Sequence, residues 1–364
     1  MTEVLLKELI NTDINWIATN SYQKELSSGS VLIQEGKSVD SLYILLEGTL
    51  TVTISQSDDN PLNRAFAAFD NSANSGRAIA RLSRGEVVGE IPFINTRPTV
   101  TTIKALEKSL VMSISQEKLA TKLQQDAGFA SRFYRAIAIM FLDRIQNMIR
   151  QLGRRNIIQT KSLRDMLFVL AELHDSDIDW MIACGVPQKI PANQVVIHET
   201  SPVDALYIIL SGRMSLCISD DDRNPLVRAF AAIEGNEIIG REIARLSKGE
   251  IVGETPFIDG RLPSTTVKAI EDSIVLSISR HQLALKLQQD IGFSSRFYKV
   301  ISILMSNRLQ EILSRIGYGR RVYSQGLSLD KNSEYEDELN ISALDKMALA
   351  GKRFDWMIER MSIA

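Results

Sequence analysis

The chain has 364 residues, 45% of them apolar and 24% charged, with a net charge of −2. A chain of this length and balance can bury two or three cores without covalent staples, and its charge gives no general reason to expect nucleic acid or an anionic membrane as a partner. Its two cysteines, Cys184 and Cys217, lie far apart with no ligand-like spacing, which excludes a disulfide framework and suits a reducing compartment.

The first residues, MTEVLLKELINTD, carry acidic side chains from the start and lack the basic head of a signal peptide. No apolar run approaches the roughly 18 residues needed to span a bilayer. Even RAIAIMFLDRI is interrupted by arginine and aspartate. A cytoplasmic protein is expected, with neither membrane nor nucleic acid as partner.

A short helical stretch carrying Trp16 comes first, followed by the runs SVLIQEG, SLYILLEG, TLTVTIS, IARLS, TTIKALE and LVMSIS. They are short, alternating or apolar, and punctuated by glycine and charged pairs, as in an all-β sandwich or roll. Between the fourth and fifth of them stands GEVVGEIPFINTRPTV. The period then changes. QEKLATKLQQDAGFASRFYRAIAIMFLDRIQNMIRQLG has no proline and predicts two helices broken near Gly128. On the second, Phe133, Ile137, Met140, Ile145, Met148 and Leu152 form an apolar stripe, and Gly153 suits a C-cap. A basic stretch, RRNIIQTK, follows.

From there the whole pattern is written again. DSDIDWMI repeats NTDINWIA, PVDALYIILSGRMSL repeats SVDSLYILLEGTLTV, GEIVGETPFI repeats GEVVGEIPFI, and KLQQDIGFSSRFYKVI repeats KLQQDAGFASRFYRAI, always at an offset of 164 residues. An unchanged offset over about 140 residues marks a duplicated domain rather than a short solenoid unit. After Gly317 the chain turns polar, and ISALDKMALAGKRFDWMIERMSIA is again helical in period. Its FDWMIERM echoes IDWMIACG; a docking helix and a truncated third leading helix are both open.

These pieces, in this order and twice over, resemble the cyclic nucleotide-binding domain, in a tandem layout similar to that of kinase regulatory subunits. The resemblance rests on LYILLEG and LYIILSG, the two GE motifs, and TTIKALE and TTVKAIE. It implies an α+β protein with two tandem β-rolls (jelly-roll-like), each with flanking helices. The expected boundaries are 1–153 for the first domain, 154–164 for a basic linker, 165–317 for the second domain, 318–340 for a flexible polar spacer and 341–364 for a C-terminal docking helix.

The resemblance also implies a site. A cyclic phosphate is costly to desolvate unless charged and backbone donors receive it. In the family a glutamate accepts from the ribose, a short helix presents its first amides, and an arginine after a proline pairs with the phosphate. Gly89 and Glu90, and Gly253 and Glu254, match the glycine and glutamate. The family's arginine position holds Thr99 and Pro263, with Arg97 and Arg261 two residues earlier. Pro92 and Pro256 remove an amide donor as well. Each lost bond to a charged group costs about 1.5–3 kcal/mol.

Residues 97 and 99 would share a face of an extended segment, about 7 Å apart, so Arg97 can still reach the seat. Thr99, Thr101 and Thr102, and Ser264, Thr265 and Thr266, add hydroxyl donors. Against these readings, the glutamates could cap the short turn, the arginines could be loop residues, and the threonines ordinary strand residues. The resemblance thus points to a cyclic nucleotide or related anion as the ligand.

The loops 56–76 and 220–240 both contain NPLxRAFAA, which suggests a protein contact; Arg64 and Arg228 in them could instead supply the missing charge. SRFYRA and SRFYKV read as helices that bury Phe133 and Phe297 and solvate their arginines, rather than as nucleic-acid contacts. His174, His198 and His281 have no histidine counterparts at the repeat offset, so no metal site shared by the copies is expected. No catalytic residue stands out, and no cofactor is implied. The expected function is a non-enzymatic sensor that signals to a protein partner or through self-association. The alternative is a ligand-free scaffold docked in a larger assembly.

Overall fold

A computed structural model of the protein describes residues 4–54, 77–94, 99, 101–152, 170–218, 241–315 and 341–362. The NPLxRAFAA loops with Arg64 and Arg228, the basic linker, the polar spacer and Arg97 lie outside the described residues. Two compact units result: Met1–Phe141 with Ser306–Asn340, and Leu142–Met305 with Ile341–Ala364.

In the first unit, α1 (Val4–Glu8) and α2 (Asn11–Asn20) precede β1 (Tyr22–Leu26), β2 (Val31–Ile33), β3 (Ser41–Glu47), β4 (Leu50–Ile54), β5 (Arg77–Leu82), β6 (Val87–Val88), α3 (Ile91–Ile94), β7 (Thr102–Ala105) and β8 (Ser109–Ser115). The helices α4 (Gln116–Gln125) and α5 (Ala127–Leu152) follow, and α5 belongs to the second unit from Leu142 on. The strands form two antiparallel sheets, ordered β1-β8-β3-β6 and β2-β7-β4-β5. Leu26, Leu45 and Val111 of one sheet and Ile33, Leu50 and Ile103 of the other belong to one buried core. The alternating pattern read from the sequence is what places them there.

The second repeat builds the same roll. It begins with α6 (Asp175–Cys184), then β9 (Val186–Ile190), β10 (Val195–Ile197), β11 (Ala205–Ser211), β12 (Met214–Ile218), β13 (Arg241–Leu246), β14 (Ile251–Val252), α7 (Thr255–Ile258), β15 (Thr266–Ala269) and β16 (Ser273–Ser279). After these come α8 (Arg280–Gln289) and α9 (Ile291–Arg315). The sheets are β14-β11-β16-β9 and β10-β15-β12-β13. Even the irregularities repeat: the register breaks at Leu45/Glu47 and again at Ile209/Ser211.

The break between the paired helices falls at Asp126 and Asp290, just ahead of the expected glycine. Asp126 accepts from the Phe129 amide at 2.9 Å and from Lys122 Nζ at 2.7 Å. Asp290 does the same with Phe293 and Lys286, at 2.8 Å each. An aspartate that caps the third amide of the new helix fixes its start.

The conserved geometry of the two copies is clearest where the leading helix meets the long one. Arg132 makes a two-pronged pair with Asp13 at 2.6 and 3.0 Å, and Arg296 with Asp177 at 2.6 and 2.8 Å. Trp16 meets Phe129 edge-on with centroids 5.5 Å apart, and Trp180 meets Phe293 at 5.3 Å. Lys122 and Lys286 lie over these rings. Phe133 and Phe297 are fully buried as expected. The expectation that the arginines of SRF are solvated fails for Arg132 and Arg296, because a buried carboxylate waits opposite each.

The last helix, α10 (Ile341–Arg360), packs against α6 within the second unit. Ala350, Phe354 and Met357 are buried. Arg353 donates to Asp175 at 2.8 Å and to the Leu170 and Ala171 carbonyls at 3.1 and 3.0 Å. Lys346 and Lys299 both pair with Glu172. Burial alone would raise the Glu172 pKa, but the two ammonium groups more than offset this and lower it. Among the described residues no helix is long and apolar enough to cross a membrane.

Candidate functional site

Each roll turns from β6 or β14 into its short helix through a glycine in the left-handed region, Gly89 at φ 83° and Gly253 at φ 84°. A Cβ on Gly89 would stand 2.4 Å from the Ser41 carbonyl oxygen, and one on Gly253 2.5 Å from that of Ala205. Neither oxygen can retreat without moving a strand. Gly253→Ala is therefore expected to cost at least the roughly 1–3 kcal/mol of a strained backbone, measurable by urea unfolding; an unchanged midpoint would disprove the close approach.

The glutamates that follow, Glu90 and Glu254, are both 4% exposed. Glu254 occupies the N-cap position of α7 without a side-chain capping bond, so helix capping is not its role. The short helix behind it is fixed to the long helix. Phe257 meets Phe297 edge-on at 6.4 Å, as Phe93 meets Phe133 at 6.5 Å. The Tyr298 hydroxyl donates to the Phe257 carbonyl at 3.1 Å in a buried setting. Local pattern alone does not single out Phe93 and Phe257; their repetition behind the GE motif is the signal that marks them.

The threonines divide. Thr99 is buried and donates to the Gln34 carbonyl at 3.3 Å. Thr102 accepts from the Glu35 amide, and Thr266 from the Glu199 amide, each at 3.1 Å. Those hydroxyls stitch the segment to the β2 and β10 ends, in line with the strand reading. Thr101, Ser264 and Thr265 are half-buried.

Arg261 is the one described member of the arginine pair. Its backbone amide donates to Asp259 Oδ1 at 3.2 Å, and its Nε to Asp259 Oδ2. Its Nη1 donates to Asp143 Oδ1 and, at 3.1 Å, to Gln146 Oε1, both on α5. Burial alone would lower the pKa of this guanidinium, but Asp143 and Asp259 outweigh it and raise it. The Arg261 side chain is still 35% exposed, but it is not an open cation; two carboxylates compensate its charge. Burial pushes up the thiol pKa of Cys184 and Cys217, which leaves both protonated and poorly nucleophilic. Among the described residues no cluster of metal-ligating side chains occurs.

The profile of the cyclic nucleotide-binding domain matches residues 23–126 and again 187–290. The chain belongs to this family.

Its two cyclic nucleotide-binding domains have curated relatives that are much longer. Neuropathy target esterase sws of Drosophila willistoni is 25% identical over 317 residues, 86% of this chain and 18% of that protein. An uncharacterized NTE family protein of Mycobacterium bovis is 26% identical over 111 residues, 30% of this chain and 16% of its own. The chain spans less than a fifth of the length of these relatives. Among solved structures, the regulatory domain of Toxoplasma gondii PKA with cAMP aligns over 85% of this chain and 92% of its own, at 15% identity and a TM-score of 0.29.

Proposed function

We propose that the chain is a non-enzymatic regulatory module whose cyclic nucleotide-binding domains take a nucleotide-like or other small anionic ligand and signal its presence to a protein partner. One observation carries this reading. In both domains a buried glutamate follows a strand-locked glycine, and the helix it opens rests, through Phe93 or Phe257, on a phenylalanine of the long helix. A ligand touching Glu90 or Glu254 would therefore press on α5 or α9 through one layer of side chains. The esterase named among the relatives is matched over less than a fifth of its length, so no esterase activity is proposed for this chain.

Thermal melting with cyclic AMP, cyclic GMP and cyclic dinucleotides tests the reading. Ligand at 100 times its dissociation constant adds about 2.7 kcal/mol, and the Glu90→Gln/Glu254→Gln chain should lose that shift. If no nucleotide moves the wild-type transition, the proposal fails.

A scaffold without a ligand is the second reading. It is favoured by the compensation of Arg261 by Asp143 and Asp259 and by the packing of α10 on α6. There the domains serve as packing modules for self-association or for docking on a larger assembly.

A further inference from the structure

The two repeats carry the displaced arginine at the same position, yet the carboxylates that pair with Arg261 have uncharged counterparts in the first repeat. In the second domain Asp259 and Asp143 grip Arg261 from two sides, with Gln146 as a third partner. At the 164-residue offset the sequence has Asn95 for Asp259, Asn307 for Asp143 and Gln310 for Gln146. Both carboxylates become amides while the glutamine is kept. Asn307 is buried on α9, as its counterpart Asp143 is half-buried on α5.

Asp143 and Asp259 against Arg261 leave that cluster with a formal charge of −1. The corresponding residues of the first repeat, Asn307, Asn95 and Arg97, sum to +1. A phosphate approaching the second seat meets a cation already paired twice and a surplus of negative charge, which opposes it in a partly dry setting. A ribose hydroxyl carries no such penalty.

We infer that Asp143 and Asp259 set the ligand charge of the second domain: by compensating Arg261 they make its seat select an uncharged, hydroxyl-bearing ligand over the phosphate-bearing counterpart. This rests on the ligand-binding reading proposed above and narrows it: the first domain keeps the anionic ligand, and the second takes its uncharged counterpart. The two domains then answer to different chemical forms, and the difference resides in two carboxylates that a single atom replacement each would neutralise.

The test uses the full chain with Glu90→Gln to silence the first domain, titrated calorimetrically with adenosine and with cyclic AMP. Adenosine should bind at least about tenfold tighter than cyclic AMP. Adding Asp143→Asn and Asp259→Asn should raise the cyclic AMP to adenosine affinity ratio on the order of ten- to a hundredfold, the range of a charge-assisted contact. Adding Arg261→Ala to that chain should erase the gain. A melting curve confirms that each variant folds, and Asp259→Asn alone, which leaves α5 untouched, should give a partial gain should the double variant not fold. Two results overturn the inference alone: cyclic AMP binding as tightly as adenosine with both aspartates present, or no rise in the cyclic AMP to adenosine affinity ratio when both aspartates are replaced. If no form of the chain binds either compound, the inference falls together with the ligand-binding reading.

Discussion

Replacing Asp177 by alanine is expected to lower the unfolding free energy by about 3–5 kcal/mol, the range for breaking a buried ion pair from one side. The Asp177 side chain is 2% exposed and that of Arg296 22%. Removal of the carboxylate strands both the guanidinium and the His174 amide, which donates to Asp177 at 2.8 Å. Against a total of roughly 5–15 kcal/mol for a domain, that loss is large. Urea unfolding of Asp177→Ala measures it, and Asp177→Leu/Arg296→Met should recover most of it, since no charge is then left alone. A loss below about 1 kcal/mol would mean that the pair is effectively solvated.

The same residue gives a pH dependence. Burial alone would raise the Asp177 pKa, but the Arg296 bonds and charge and the His174 amide outweigh it and hold the group below 3.8. A depressed carboxylate contributes stability that is present above its unfolded value and is lost as pH falls through the folded one. The wild-type chain should therefore lose stability below about pH 3.8 more steeply than Asp177→Ala does. Parallel acid limbs would contradict this.

Phe297→Ala is expected to cost about 3–5 kcal/mol as well, by the usual sum of lost transfer energy and residual cavity. Phe297 is 1% exposed and stacks on Phe293 at 5.9 Å while meeting Phe257 edge-on. Its loss also removes the support of α7, so any adenosine-induced melting shift should shrink with it. Phe297→Leu, which refills much of the volume, should recover over half of the stability. An alanine variant that keeps both its midpoint and its ligand response would show that the ring does not link the short helix to the long one.

Much of the architecture was legible because the chain states it twice. Alternation in LYILLEG and LYIILSG, the shift to helical period at Gln116 and Arg280, and the unchanged offset together specify two rolls with trailing helices. Local chemistry was legible in part. The resemblance offers Gly89 and Gly253 as ligand residues, whereas their positive φ and the carbonyls beneath them supply a steric reason for glycine. Partners far apart in sequence were out of reach: nothing local in SRFYRA announces Asp13, 119 residues away, and nothing near Arg261 announces Asp143, 118 residues away. Long-range ion pairs depend on where helices dock, and period alone does not fix that. The clue that could have found them was the repeat itself, since Asp13 and Arg132 recur together as Asp177 and Arg296 while Asp143 recurs as Asn307.

The division of the units inside α5 and α9 bears on how the protein can be dissected. A truncation that starts at Ser162 keeps every strand of the second roll but discards Asp143 and Gln146. The fragment would retain Asp259 as the sole carboxylate on Arg261, so its affinity for phosphate esters would report a seat that the intact polypeptide does not possess. Domain-by-domain binding assays on such fragments would overstate the anion preference of the second half.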